Sequence, residues 1–388
     1  MREETQGKTA VFIVLFFMSL ILHVQFPVFT PYAVALGATG VFVSIMLSAS
    51  SLTNLVGHIA AGPYIDRIGK KPFIVIPLFL SALLMIGYAL IHDRVQLFIL
   101  RVINGFILAF ISPACFALLS AYAKNSRQQG KNMAVNGLMV TAANILAPLI
   151  GGRLVEWFAY RGTYWCIGTS LFLTGLIALF YVREADPIVV HRKTPPTLLQ
   201  TLGDRRTVPV YFIAFTLMYG HGTLFYELPF LTVERGLSAG ETGTLFSMMG
   251  LGTLASLSLF WLNRFSAVLR TGIGLFFTGL LYYQLAAAVM AIGFKFTLFL
   301  MGIAFGLVFP ALTTWLAEKT DQGRYGSAFG ILSAVFSLGM ITATLTSGMI
   351  RHTTSPYFPA FLVTMAGAVY LIYDHFKTKA WDEAIKSS

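Results

Sequence analysis

The sequence predicts an all-α integral membrane protein, with twelve transmembrane helices arranged as two pseudo-symmetric six-helix lobes. Three observations carry that expectation. The composition suits lipid rather than water, the chain holds twelve apolar stretches of bilayer length, and one half of the sequence maps onto the other.

Apolar residues make up 56% of the chain and charged residues 11%, and the mean hydropathy is +0.75. Soluble globular domains carry about 25% charge, so this chain is not one. Residues 9–64, 73–91 and 102–123 hold no Asp, Glu, Lys or Arg, and each is long enough for at least one bilayer crossing. The spans are expected at 10–35, 40–64, 73–91, 96–121, 131–153, 163–182, 209–231, 241–262, 271–292, 296–317, 326–349 and 356–375. The first is too long and apolar for a signal-peptide core, and eleven more follow, so it is expected to remain in the mature protein.

An even number of spans puts both termini on one side. Loops on that side hold 20 of the 27 Lys and Arg residues, against six in the opposite loops, Arg351 among them, while Arg101 falls inside the fourth span. The basic side is cytoplasmic, which places the chain in the cytoplasmic membrane with both termini inside. The net charge of +11 therefore reflects topology, and no nucleic-acid partner is needed to explain it. Cys115 and Cys166 lie in spans without paired-motif spacing, so they read as small core residues with no metal or disulfide role.

The longest polar stretch carries Pro187, Pro195 and Pro196. It divides the chain into an N-terminal lobe (1–182), a cytoplasmic linker (183–208) and a C-terminal lobe (209–388). The halves match at an offset of 197 to 199 residues. Gly105 and Pro113 recur as Gly302 and Pro310, Asp66-Arg67 as Asn263-Arg264, and Gly37 as Gly236. Such a duplication is the build of a two-lobed secondary carrier.

After the second span the chain reads GPYIDRIGKKP, from Gly62 to Pro72. Gly62 permits close helix approach, and Gly69 and Lys70 complete a turn beside Asp66 and Arg67, which can pair with each other. The fourth span contains LRVINGF, with Arg101 and Asn104, and the fifth AANILAPLIGG, with Pro148, Gly151 and Gly152. These three segments resemble signatures of the major facilitator superfamily, and with the span number and duplication the resemblance covers the whole chain. It implies alternating access around a midplane site. It assigns conformational gating to Gly62, Asp66, Arg67, Gly69 and Lys70, with Asp66 facing the start of the eleventh helix, and to Pro148, Gly151 and Gly152 of the segment resembling the antiporter motif. Ala143 and Ala147 stand where that motif prefers glycine. Arg101 matches a buried arginine linked in the family to proton transfer and substrate response; an arginine this near a helix end can also snorkel to the headgroups.

His23 and His221 are 198 residues apart, so the repeat makes them equivalent positions on the first and seventh spans. Imidazoles within the membrane can carry a proton near neutral pH or bind a polar substrate; each can equally be a neutral residue bonded to a neighbouring helix. Many drug exporters of the family carry an acid in the first helix. Here that helix offers His23 and Gln25. Among the 16 acids, Glu227 stands apart by falling within the seventh span, where it can titrate or pair with Arg101. Asn54 and His58 share a face of the second span, and Asn136, Asn144, Tyr219 and Tyr226 are further candidates for substrate contact. Phe225, Phe305 and Phe309 suit an amphipathic or aromatic substrate.

The function expected is proton-coupled export of small amphipathic molecules, by a monomer that needs no cofactor or metal and whose partners are substrate, protons and lipid. A dedicated exporter of one metabolite, such as a siderophore or metallophore, is the alternative. A membrane-embedded enzyme or sensor has no supporting motif. No G-x-x-x-x-G-K-[ST] segment is present for nucleotide energy.

Overall fold

The computed structural model describes residues 2–123, 126–184, 206–287, 293–320 and 325–387. The described residues are almost entirely helical. They run as α1 (Arg2–Val24), α2 (Phe26–Ala35), α3 (Gly40–Ile68), α4 (Pro72–Leu90), α5 (Arg94–Leu108), α6 (Ile111–Ala121), α7 (Ser126–Tyr181), α8 (Val208–Glu234), α9 (Ala239–Ser258), α10 (Ala267–Ala286), α11 (Phe294–Lys319), α12 (Tyr325–Ile350) and α13 (Tyr357–Ser387), with a 3-10 turn at Phe260–Arg264 after α9. Nearly all of the linker expected at 183–208 lies outside the described residues.

Every expected span has its helix. Nine helices among the described residues are long and apolar enough to cross a membrane, and one stretch of 51 residues, Lys131–Tyr181, suffices for two crossings at 1.5 Å per residue. The remaining two are α9 and α10, each of 20 residues; Gly and Thr residues lower the hydropathy of α9, and Arg270 and Gln284 that of α10. Within α7 the break falls at Ala159, the one non-glycine residue of positive φ (52°) among those described. The first span divides into α1 and α2 at Gln25 because Pro27 has no N–H to offer the carbonyl of His23.

The repeat is legible in the caps. Gly37 and Gly236 end α2 and α8 with φ of 81° and 66°, a left-handed conformation that glycine enters without steric cost. The closing bonds match as well. Ala38 N–H donates to Ala33 at 3.0 Å and Leu237 N–H to Thr232 at 2.9 Å, the wide loop of a Schellman motif. Each half also has a threonine bonding a neighbouring helix: Thr53 Oγ1 donates to the Val102 carbonyl at 2.9 Å, and Thr253 Oγ1 to that of Gly302 at 3.2 Å.

By contact the chain forms two compact units, residues 1–190 with 228–250, and residues 191–227 with 251–388. In the first, α7 packs along α1 and α4, and α3 along α5. A side chain at Gly105 would strike the Ser50 carbonyl, so glycine sets the approach of α5 to α3. In the second, α10 packs on α11 and α13 around a core that includes Leu217, Leu275, Leu312 and Trp315. Cys115 is buried as expected. Cys166 is exposed, so the core reading holds for Cys115 alone.

Candidate functional site

The polar residues inside the first unit gather around Arg101. The α1–α2 break turns the Gln25 side chain, 3% exposed, toward α5, where its Oε1 accepts from Arg101 Nη1 at 2.5 Å. Its Nε2 donates to the Ile21 carbonyl at 3.4 Å. The guanidinium lies over the Phe29 ring, 4.3 Å from the centroid, so one neutral acceptor and one aromatic face solvate the charge. Among the described residues no carboxylate lies within ion-pair distance of it.

A tyrosine cluster adjoins this pair. Tyr32 donates to the Tyr88 carbonyl at 2.6 Å and packs against Tyr160 and Tyr164, and Tyr88 meets Tyr164 with centroids 5.0 Å apart. The Tyr88 and Tyr164 side chains are fully buried. The Tyr164 hydroxyl has no hydrogen-bond partner among the described residues, and neither do Arg101 Nε and Asn104 Oδ1. The cluster was not anticipated from sequence, because these tyrosines are spread over more than 130 residues.

The other candidates of this unit are dispersed. His23 Nδ1 lies 2.5 Å from the Ser19 carbonyl, one turn back on its own helix, and its ring meets Phe26 edge-on at 5.0 Å. Asn54 donates to the Gly105 carbonyl at 3.0 Å, bonding α3 to α5, while His58 one turn on is exposed. Asn136 is half-buried with Oδ1 unpartnered, and Asn144 is half-buried on the same helix, where its backbone carbonyl crowds Gly250.

Of the gating residues, the side chains of Gly62 and Asp66 lie outside those described, and Arg67 is exposed. The loop carrying Gly69 and Lys70 is held by a residue that sequence reasoning missed. The Glu184 carboxylate accepts from the backbone N–H groups of Lys70, at 2.9 and 3.0 Å, and Lys71, at 2.8 Å, and lies 3.5 Å from Lys70 Nζ. A carboxylate is favoured there because these N–H groups open α4. The sign of Glu184 was visible in sequence, but its place at the head of the linker gave no hint of a partner 114 residues away.

The α7 glycines are approach points. A Cβ at Gly151 would strike the Val24 carbonyl, one at Gly152 the Ala239 carbonyl, and one at Gly243 the Pro148 carbonyl. Just beyond, Glu156 accepts from Gly240 N–H at 3.1 Å and from Arg153 Nη1 at 2.9 Å. Ser238 and Glu241 form a reciprocal capping box at the same helix start, at 2.9 and 3.1 Å.

In the second unit, Glu227 has a partner other than the one sequence allowed. Arg351, assigned to a loop by charge counting, caps the end of α12 and reaches Glu227 on α8, with Nη2 at 3.0 Å from Oε1 and Nε at 3.4 Å from Oε2. Both side chains are buried, at 7% and 8% exposure. Arg101 bonds Gln25 in the other unit, so each arginine has its hydrogen-bond partner within its own unit. Tyr219 bonds Thr346 at 2.7 Å, again joining α8 to α12. His221 stacks on Phe305 and leans on Phe225, both at 4.4 Å, and Phe305 continues to Phe309 and Phe336. Tyr226 is fully buried, so it packs in the interior rather than presenting a surface.

These features have counterparts among known proteins. The quinolone resistance protein NorA of Staphylococcus aureus is 22% identical over 368 residues, which cover 93% of this chain and 94% of that one. The fold matches a bacterial homolog of the human lysosomal transporter Spinster, solved inward-facing and unoccupied, with a TM-score of 0.75 at 16% identity over 96% of this chain and 95% of that one. It also matches the human organic anion transporter MFSD10, with a TM-score of 0.66 at 18% identity over 95% and 99% of the two chains. Residues 11–344 match the family model of the Major Facilitator Superfamily, and with a helix for each expected span, a duplicated half and the loop and helix signatures in place, the chain is a transporter belonging to that superfamily.

Proposed function

We propose that this transporter exports small amphipathic molecules across the cytoplasmic membrane in exchange for protons, working as a monomer with both termini in the cytoplasm. The observation that carries the reading is Glu227, a carboxylate buried inside a membrane-spanning helix and held by Arg351. Ionisable groups at such depth are costly and mark ion or substrate pathways, and a carboxylate that exchanges an arginine for a proton is a coupling element of known chemistry. The close α7 contacts through Gly151 and Gly152 support export over import, by their likeness to the antiporter motif. NorA, named for quinolone resistance, supports the substrate class. In this reading Asp66 gates the cycle from the last turn of α3, and His23 and His221 carry protons or bind substrate. Uptake of ethidium into inverted vesicles tests the proposal: a protonophore should collapse it, and persistence on a sodium gradient alone would contradict proton coupling.

A further inference from the structure

Ala159 is held in a backbone conformation that alanine avoids. Its φ of 52° and ψ of −178° lie beside the region that only glycine enters without strain. Such strain persists where the surroundings fix the chain on both sides, and here they do. On the C-terminal side, Tyr160 packs its ring on Tyr32 at 5.4 Å, Arg161 Nη2 donates to the Ile91 carbonyl at 3.4 Å, and Thr163 Oγ1 donates to the Ala159 carbonyl itself at 2.8 Å. On the N-terminal side, Glu156 is bound to the start of α9, where it accepts from Gly240 N–H at 3.1 Å and bonds the Ser238 side chain. A carboxylate is favoured at a helix start.

The two anchors come from different halves of the repeat. Tyr32 and Ile91 lie in the first half and α9 in the second, yet residues 228–250 belong by contact to the first unit. Ser247 Oγ continues the seam between α9 and α7 by donating to the Ile145 carbonyl at 2.6 Å. Charge counting puts the turn between residues 153 and 163 on the side away from the basic loops. The geometry points to a sprung latch on the outer face, made of Glu156 and Ala159. The bond from Glu156 to α9 closes the outer end and holds Ala159 strained, and release of that bond lets Ala159 relax as the end opens. The strain offsets part of the bond, so the closed state is held without being locked. The inference rests on the export reading, in which the outer end opens in each cycle to release substrate.

The test measures distances between spin labels at His92→Cys and His352→Cys, exposed positions in the two halves, on the full chain in nanodiscs with Cys115→Ala and Cys166→Ala. The protein otherwise unsubstituted gives the reference ratio of long to short distances. Glu156→Gln, which keeps the shape and loses the charge, should raise that ratio about threefold or more. Gly240→Ala should do the same, because its methyl group would strike the Glu156 carboxylate. Ala159→Gly removes the strain and keeps the bond, so it should lower the ratio about fivefold or more and, added to Glu156→Gln, bring it back toward the reference. An Ala159→Gly variant that unfolds at a higher temperature but leaves the ratio unchanged would place the strain in both states and overturn the spring. An unchanged ratio in Glu156→Gln and Gly240→Ala would overturn the latch. Either result leaves the export reading standing. Ethidium uptake by the unsubstituted protein is followed in parallel, and its absence would overturn that reading itself.

Discussion

Glu227 and Arg351 are 124 residues apart, yet they meet through two hydrogen bonds of 3.0 and 3.4 Å between α8 and the end of α12. The contact ties two helices of one unit through a pair of charges that are both more than nine-tenths buried. Removing one member of such a pair strands the other.

Glu227→Gln should therefore destabilise the protein by about 3–5 kcal/mol, whereas replacing both partners with leucine should cost far less. Thermal unfolding in one detergent, compared across the single and double variants, measures this. Equal loss in all of them would mean that the ion pair contributes no more than its packing volume.

The clamp on the α3–α4 loop makes a second prediction. Glu184→Ala removes the acceptor for the Lys70 and Lys71 N–H groups, and the loss of such a cap costs about 1 kcal/mol. Hydrogen exchange at residues 69–72 should quicken in the variant. Unchanged exchange would show that another group holds the loop.

Gly152→Ala adds a methyl group where the Ala239 carbonyl already sits. Overpacking of this kind costs about 1–3 kcal/mol, so transport should fall sharply while Gly137→Ala on the same helix, with open space around it, should be tolerated. Equal transport by both variants would contradict the close approach.

His23→Gln and His221→Gln should each flatten the pH dependence of transport between about pH 5.5 and 7.5, the range in which imidazole changes charge. If the two act as one unit, the double variant should be little worse than the more impaired single one. Wild-type pH profiles in both single variants would leave them as packing residues, His221 on Phe305 and His23 on Phe26.

Much of the fold was legible because lipid imposes it. A run of apolar residues has no alternative to a helix when its backbone groups must bond internally, and Gly37 and Gly236 announced their turns by residue type and matched offset. The break at Gln25 was also within reach, since Pro27 and Pro31 fall inside the first span. Partnerships between helices were not legible. Whether Glu227 meets Arg101 or Arg351 depends on how each helix is rotated and crossed, which no linear pattern records. Charge counting placed Arg351 in a loop, and by one residue it is, but its side chain turns back to the buried carboxylate. The gathering of Tyr32, Tyr88 and Tyr164 beside Arg101 escaped for the same reason.

Proton exchange for substrate is the central claim, and it is measured most directly by following lumenal pH in liposomes reconstituted with the protein. The lumen is set acidic relative to the outside, sodium is omitted, and ethidium is added externally. Uptake of ethidium accompanied by a rise in lumenal pH, absent from protein-free liposomes and abolished in Glu227→Gln, is the predicted result. Ethidium uptake that leaves lumenal pH unchanged, or that requires sodium, would contradict it.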